Sequence, residues 1–414
     1  MSKAELLTIG DDLLYGHTID TNAAFIGERL ADTGVELIFH TTVGDHPQLL
    51  LSAIAQAMKR ADVVLATGGL GPTPDDITKK VICKYFKRQL VYHDDIRREI
   101  EKRFKERGVA MPPINQNQAL LPQGASFLKN SVGTAYGIAI EEEGRLFISM
   151  PGVPAEMKPM LTEQVIPLLK QNFPAEPLVH RRIRTVGIME SVIYEKAKDI
   201  VEQKSPVRIA FLPSFRGVDL RLTMKAGDET KVRKTIGDLE KRIVERLDKY
   251  IFGYDDDELA DVVGRKLLDR KMTMAVAESC TGGLLGKIIT DISGSSAYFV
   301  GGVIAYSNEL KMKLLGVRRE TIEKHGAVSE QAACAMAEGA RKKTRASIGV
   351  SITGIAGPTG GTDEKPVGLT FIGLATPEGT NAKRFQYGAD REHNRLRASI
   401  SALDTVRRYL DGIE

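Results

Sequence analysis

The apolar positions of this chain change their period as it runs. Up to about residue 170, short continuous apolar runs alternate with stretches of helical spacing. AELLTIG (4–10) reads as a buried strand, and VELIFHTTVG (35–44) and DVVLATGG (62–69) read as further strands. LFISMPGVP (146–154) reads as a strand entering a turn, which its two prolines break before a helix from Ala155. DTNAAFIGERLADTG (20–34) has helical spacing, with Asp20 or Thr21 placed to cap it and Gly34 to end it. A polar helix rich in Arg, Glu and Lys follows at about 93–107. This alternation predicts a doubly wound α/β domain over 1–170.

Residues 175–252 follow a different pattern. HRRIRTVGI (180–188) and VDLRLTMKA (218–226) alternate apolar and polar positions, as strands with one wet face do. Charged helices are predicted at about 190–203 and 229–249. From 255 to 414 the α/β pattern returns. MTMAVAES (272–279), FVGGVIAY (299–306), SIGVSIT (347–353) and GLTFIGLAT (368–376) read as buried strands. The helix 284–292 gathers Leu284, Leu285, Ile288, Ile289 and Ile292 on one face. A last helix over 391–411 buries Leu396, Ile400, Leu403, Val406 and Leu410. The chain therefore reads as three domains, 1–170, 175–252 and 255–414.

Composition narrows the function classes. The 414 residues are 42% hydrophobic and 27% charged, a globular balance rather than a disordered or fibrous one. No apolar run reaches the ~18–20 residues of a membrane helix. The start MSKAELLTIG lacks a secretory pattern. Three cysteines without a C-x-x-C pair fit a reducing compartment, so a cytoplasmic location is expected. The middle segment holds 17 Lys+Arg against 12 Asp+Glu over 175–250, an excess of +5, while the whole chain carries +4. Its glycines, at 187, 217, 227 and 237, do not form the G-x-x-G loop of RNA-binding KH domains. No nucleic-acid partner and no membrane are expected.

Candidate chemistry lies where strands end. Ser279-Cys280-Thr281-Gly282-Gly283 joins a strand to a helix, and ligands of open α/β sheets bind at such edges. The helix-start N–H groups there can hold a phosphate or a developing oxyanion. Ser279 can also be a simple helix cap. Tyr306 and Lys311 follow the end of another strand. A serine hydroxyl needs a base, and a buried lysine whose pKa falls on desolvation can be one. As an isolated feature, Lys311 reads first as a solvated helix residue. Cys280 is the rival nucleophile. SITGIAGPTGGTDEKPVG (351–368) is a glycine-rich loop that either faces a ligand with its backbone or is merely flexible. Arg391, Arg395 and Arg397 open the last helix, available to a phosphate or to water. In the first domain TGGLGPTPDD (67–76) follows a strand. Gly68, Gly69, Gly71 and Thr73 suit a nucleotide or pterin phosphate. Asp75 and Asp76 can hold a divalent cation or serve as first-turn acids. Asp11 and Asp12 sit at another strand end.

These motifs resemble the CinA family, competence/damage-inducible protein A. AESCTGG (277–283), GGVIAYSNELK (301–311), SITGIAGPTGG (351–361) and KPVG (365–368) are similar to its C-terminal nicotinamide mononucleotide (NMN) amidohydrolase domain. TIGDDLLYGHTIDTN (8–22), TGGLGPTPDD and MPGVPAEM (150–157) resemble its molybdopterin-binding-like domain. The resemblance spans nearly the whole chain and implies a small KH-like α+β domain in the middle. It implies Ser279 as nucleophile, Tyr306 and Lys311 as its assistants, and Thr353 and Gly354 as holders of substrate and oxyanion. Thr281, Gly282 and Gly283 then line the substrate. The family's G-D-R arginine falls on Arg391, within Gly388-Ala389-Asp390-Arg391. The implied activities are deamidation of NMN, with no cofactor, and cleavage of ADP-ribose in the N-terminal domain. The latter takes a divalent metal such as Mg, at Asp76 and at Asp12, where the family usually has glutamate. A homodimer is implied as well. Two other classes stay open: an N-terminal module that binds a pterin or nucleotide without turnover, and a competence-related scaffold.

Overall fold

The computed structural model describes residues 2–30, 33–173, 178–225 and 227–413. Parts of three expected features lie outside these residues: the first domain junction at 174–177, positions 31–32 of the helix expected over 20–34, and position 226. The fold divides into two compact units, Met1–Val179 with Lys225–Glu229, and His180–Met224 with Thr230–Glu414.

The first unit is built on a six-stranded sheet in the order 36–43, 3–9, 63–67, 145–150, 137–142, 126–128. The first four strands run parallel, and the last two add antiparallel. Side chains alternate across it, as the strand period of two requires. Leu7, Val64 and Ala66 join Leu50, Ile54, Val81, Ile82 and Ile100 in one core layer. Leu6, Val63 and Leu65 join Ile26, Leu30, Met157 and Leu161 in the other. Helices thus cover both faces, and the α/β expectation holds. Asp20 caps the helix Thr21–Leu30, its Oδ1 accepting the Ala23 N–H at 2.8 Å. Pro154 opens the helix expected from Ala155.

The second unit contains two sheets. The KH-like part has strands in the order 208–214, 217–225, 178–185, 251–254, covered by helices Glu190–Val201 and Glu229–Leu247. Ile193, Ile200, Ile236, Leu239 and Ile243 fill the space between. The C-terminal part has strands in the order 299–304, 274–278, 348–354, 369–375, 380–386. Strand 274–278 runs parallel to both neighbours, and the last two strands are antiparallel additions. Helix Glu330–Thr344 covers one face through Met336 and Ala340. Leu259–Asp269, Leu284–Thr290 and Arg391–Asp411 cover the other.

One strand departs from expectation. Phe299–Ile304 reads as buried in sequence but alternates between half-buried and exposed positions. It is the edge of its sheet, and Val300 (49%) and Ile304 (53%) face outward.

Candidate active site

Ser279 is the first residue past the strand Met274–Glu278, and its N–H donates to the Ile352 carbonyl of the adjacent strand at 3.0 Å. Glu278 pairs with Ile304 on one side and Ile352 on the other, so three strand ends meet here. The chain leaves the strand through Gly282 (φ 58°) and Gly283 (φ 94°), left-handed conformations that favour glycine. A Cβ on Gly283 would also lie 3.1 Å from Ile304.

Lys311 arrives from the helix Asn308–Leu315, whose start is fixed by Ser307 accepting the Leu310 N–H at 3.1 Å. One turn further on, its side chain runs inward and is 2% exposed, which removes the solvated-helix alternative. Lys311 Nζ lies 3.0 Å from Ser279 Oγ, 3.0 Å from the Ala305 carbonyl and 3.1 Å from the Tyr306 carbonyl. Among the described residues no carboxylate pairs with it. A neutral amine has two N–H donors and one lone pair. Two carbonyls and one hydroxyl meet that form when the hydroxyl donates to the lone pair, and they meet an ammonium's three donors as well, but an ammonium here would be a buried charge without a counter-ion. Burial accordingly lowers the Lys311 pKa from its ordinary 10.5, with Cys280 acting weakly the other way.

Cys280 is also buried, and burial pushes its thiol up to about 11. At neutral pH it is a thiol, a far poorer nucleophile than a thiolate. The hydroxyl beside the amine is the better-prepared group.

Two expectations about the turn are corrected. Ser279 does not cap the helix Leu284–Thr290, whose N-cap is Gly283. Nor are the helix-start donors free for a phosphate. The buried Glu278 carboxylate accepts from the N–H groups of Gly283 (2.9 Å), Leu285 (3.1 Å) and Gly286 (2.8 Å). A negative side chain already satisfies the orphan N–H groups of that helix. Just past the hydroxyl, the Thr281 N–H has no acceptor among the described residues, and the Cys280 N–H meets only its own thiol. Sequence reasoning missed Glu278. Its signal was an acid ending an otherwise apolar strand, AVAE.

The arginines are engaged with the site rather than solvated at random. Arg391 donates to the Gly357 carbonyl at 2.9 Å and to the Tyr306 hydroxyl at 3.1 Å, tying the glycine-rich loop to the aromatic rim. Tyr306 is 59% exposed; its carbonyl reaches Lys311, while its phenol meets Arg391. Arg395 donates twice to the Thr281 carbonyl, at 2.6 and 3.2 Å, and so holds the turn that carries the Cys280 and Thr281 N–H groups. Arg397 is directed elsewhere, over the Phe215 ring. The Thr353 hydroxyl donates to the Ala327 carbonyl at 2.8 Å. Gly354 has no room for a side chain, since a Cβ would lie 2.6 Å from the Thr370 hydroxyl and 2.7 Å from the Leu369 carbonyl. These two residues shape the strand end. The Thr281 hydroxyl is fully buried and has no partner among the described residues.

In the first unit, Gly68, Gly69, Gly71 and Thr73 form the turn between strand Val63–Thr67 and helix Thr78–Tyr85. Asp76 fastens this loop, accepting from Gly71 N–H (2.8 Å), Thr73 N–H (2.8 Å) and Thr73 Oγ1 (2.5 Å). Asp11 and Asp45 hold each other's backbone N–H groups. Burial, with Asp11, Asp75 and Asp76 nearby, raises the Asp45 pKa against a backbone hydrogen bond that lowers it. Asp12 stands exposed in the short helix Asp11–Leu14. Among the described residues no group of three or more His, Cys, Asp or Glu side chains is arranged to hold a cation. Asp76 thus serves as the fastener of its own loop.

Three family models match consecutive stretches. They are "Probable molybdopterin binding domain" over 5–171, "Damage-inducible protein CinA KH domain" over 180–253 and "CinA C-terminal domain" over 256–410. A protein named "Putative competence-damage inducible protein" from Caldicellulosiruptor saccharolyticus is 43% identical over 407 residues, 98% of this chain and 99% of that protein. The chain belongs to the CinA family. A "CinA-like protein" of Kosmotoga olearia is 43% identical over 99% of both chains. Among solved structures, the competence/damage inducible protein CihA from Agrobacterium tumefaciens is 37% identical, covering 37% of this chain and 97% of its own, with a TM-score of 0.35. The CinA assignment agrees with the architecture of a molybdopterin-binding-like domain, a KH-like domain and a CinA C-terminal domain. Among the described residues of this CinA-family chain, no helix is long and apolar enough to cross a membrane.

Proposed function

We propose that the C-terminal domain is a serine amidohydrolase that deamidates NMN to nicotinate mononucleotide and ammonia. The observation that carries this reading is the Lys311 amine, buried without a counter-ion, 3.0 Å from the Ser279 hydroxyl. Ser279 Oγ attacks the carboxamide carbon as its proton passes to Lys311 Nζ. The tetrahedral oxyanion is met by the N–H groups of Cys280 and Thr281; one such donor is worth about 10²–10³ in rate. The C–N bond breaks as Lys311 returns the proton to the leaving nitrogen, which departs as ammonia. Water, deprotonated by Lys311, then attacks the Ser279 ester; the acyl C–Oγ bond breaks as Lys311 returns that proton to Ser279 Oγ, and the carboxylate is released. Arg391 has N–H groups beyond the two it spends on Gly357 and Tyr306, and these serve the nucleotide's phosphate.

The test is incubation of the full-length protein with NMN, following ammonia and nicotinate mononucleotide. Ser279→Ala is expected to bind NMN and release no ammonia. Ammonia release at the wild-type rate by that variant removes the assignment.

A second reading concerns the N-terminal domain, which we propose takes ADP-ribose. It is favoured by a cavity of about 290 Å³ beside the TGGLGPTPDD loop, lined by Thr73, Asp76 and Lys79. Release of adenosine monophosphate from ADP-ribose, measured with and without chelator, tests it; no release under either condition leaves a binding module.

A further inference from the structure

The helix Arg391–Asp411 turns one side of its start to the candidate active site, and its other side is gripped as well. Arg391 and Arg395 share one side, as residues i and i+4 do. Arg391 reaches Gly357 and Tyr306, and Arg395 reaches Thr281. His393 and Arg397 form the next such pair, roughly 200° around the helix at ~100° per residue. Both meet one side chain, Phe215. Its ring stacks on the His393 imidazole, with centroids 3.6 Å apart and planes 19° apart, and the Arg397 guanidinium carbon lies 5.4 Å from its centroid.

Phe215 belongs to the KH-like part of the same unit, at the tip of the hairpin that joins Arg208–Ser214 to Gly217–Lys225. The tip has a fixed shape. The Ser214 hydroxyl donates to the Gly217 carbonyl at 3.0 Å and accepts the Arg216 N–H at 3.2 Å. A Cβ on Gly217 would lie 2.0 Å from the Thr185 carbonyl oxygen, so the tip sits close on the neighbouring strand. Arg216 pairs at 3.2 Å with Glu258, which precedes the helix Leu259–Asp269 of the C-terminal part. Phe215 itself is 46% exposed, so removing its ring opens no hole in a core. On the helix side, Asp390 accepts the His393 N–H at 2.8 Å and faces the His393 ring nitrogen Nδ1 at 3.2 Å. Asn394 fixes the buried side of the same turn to the Ala356 and Gly388 carbonyls, and the Phe215 ring fixes the outer side.

We propose that Phe215 is a positioning residue for the amidase site: the KH-like hairpin clasps the start of the last helix and so sets where Arg391 stands. This gives the KH-like part a task inside its own chain. The inference rests on the NMN reading only for what Arg391 then meets, and the clasp itself is tested without ligand.

The first arm of the experiment is hydrogen exchange of the full chain without ligand, read by mass spectrometry in peptides spanning 388–397. Phe215→Ala is expected to speed exchange there by about two- to tenfold, the scale of one aromatic pair, while peptides of Leu259–Asp269 keep the parent rate. Phe215→Tyr keeps the ring and is expected to match the parent. The second arm is calorimetric titration with NMN in the Ser279→Ala background, where no turnover occurs. Phe215→Ala is expected to weaken NMN by a similar factor, and to add nothing once Arg391→Ala is present, because both changes act through one contact. A general loss of stability would weaken NMN equally with and without Arg391. Exchange over 388–397 that is the same in Phe215→Ala as in the parent overturns the proposal. So does NMN bound equally tightly by both, or weakening by Phe215→Ala that is as large with Arg391→Ala as without it. A parent that binds no NMN removes the substrate reading, and the exchange arm alone then upholds or overturns the clasp.

Discussion

Replacing Lys311 with methionine separates the two jobs its amine performs, accepting a proton and filling a buried space. Methionine keeps an unbranched chain of similar reach but has neither lone pair nor donors. On the catalytic side, a general base is worth about 10²–10⁴ in rate, or roughly 3–5 kcal/mol at ~1.4 kcal/mol per decade. On the stability side, the Ala305 and Tyr306 carbonyls each lose one hydrogen bond, about 1 kcal/mol apiece. Removing a buried amine that resists protonation offsets part of this. The folded-state pKa of Lys311 lies below its unfolded 10.5. The unfolded chain thus binds the extra proton first as pH falls, and wild-type stability declines from about pH 10.5 down to the lowered folded value. Lys311→Met lacks that slope, so its unfolding temperature should gain on wild type as pH is lowered through this window. Activity should behave in parallel. Wild-type kcat/KM falls as pH drops through the lowered pKa, because the protonated amine cannot accept the serine proton. The assay is ammonia release from NMN against pH, with thermal unfolding of the same samples. A variant that keeps more than about a tenth of wild-type kcat/KM, outside the range for a lost general base, refutes the reasoning.

Other substitutions test the parts separately. Cys280→Ala should leave NMN turnover within about threefold of wild type, since a thiol pushed up to about 11 is not the nucleophile; loss of turnover in a folded variant would reverse the roles of the two residues. Glu278→Gln sets an amide among three N–H donors, so it should cost about 1–3 kcal/mol in denaturant unfolding and lower kcat by disordering the turn. Arg391→Ala should raise KM for NMN about tenfold with a smaller effect on kcat, whereas Arg395→Ala, which frees the Thr281 carbonyl, should act mainly on kcat. The opposite split would exchange their assignments.

Much of the architecture was legible because burial and period coincide. Strands such as VVLAT and IGVSITG are buried on both faces, since helices cover both sides of their sheets. Two of the strands that escaped notice have weak apolar signal. TNAKRFQ (380–386) is a polar edge strand, and RIAFLPS (208–214) is half-exposed and contains Pro213. In the site, Ser279 and Lys311 stood out by chemistry and position. The spacing that makes Lys311 a base did not, because its burial depends on how the helix Asn308–Leu315 meets the Ser279 turn. The roles of Glu278 and Arg395 were hidden for the same reason. Each acts through backbone groups that only the folded chain brings within reach. At Asp76 the sequence left two roles open, and the structure shows one of them, a carboxylate after a glycine-rich turn that fastens that turn.

The most direct measurement is a titration of Lys311 itself, by NMR of protein carrying lysine labelled at Cε, with Lys311→Met to assign the signal. The account predicts an amine that is neutral well below pH 10.5 and whose midpoint matches the acid limb of NMN turnover. A signal that titrates at or above 10.5 would mean a charged ammonium beside Ser279, and the proton-transfer mechanism would be wrong.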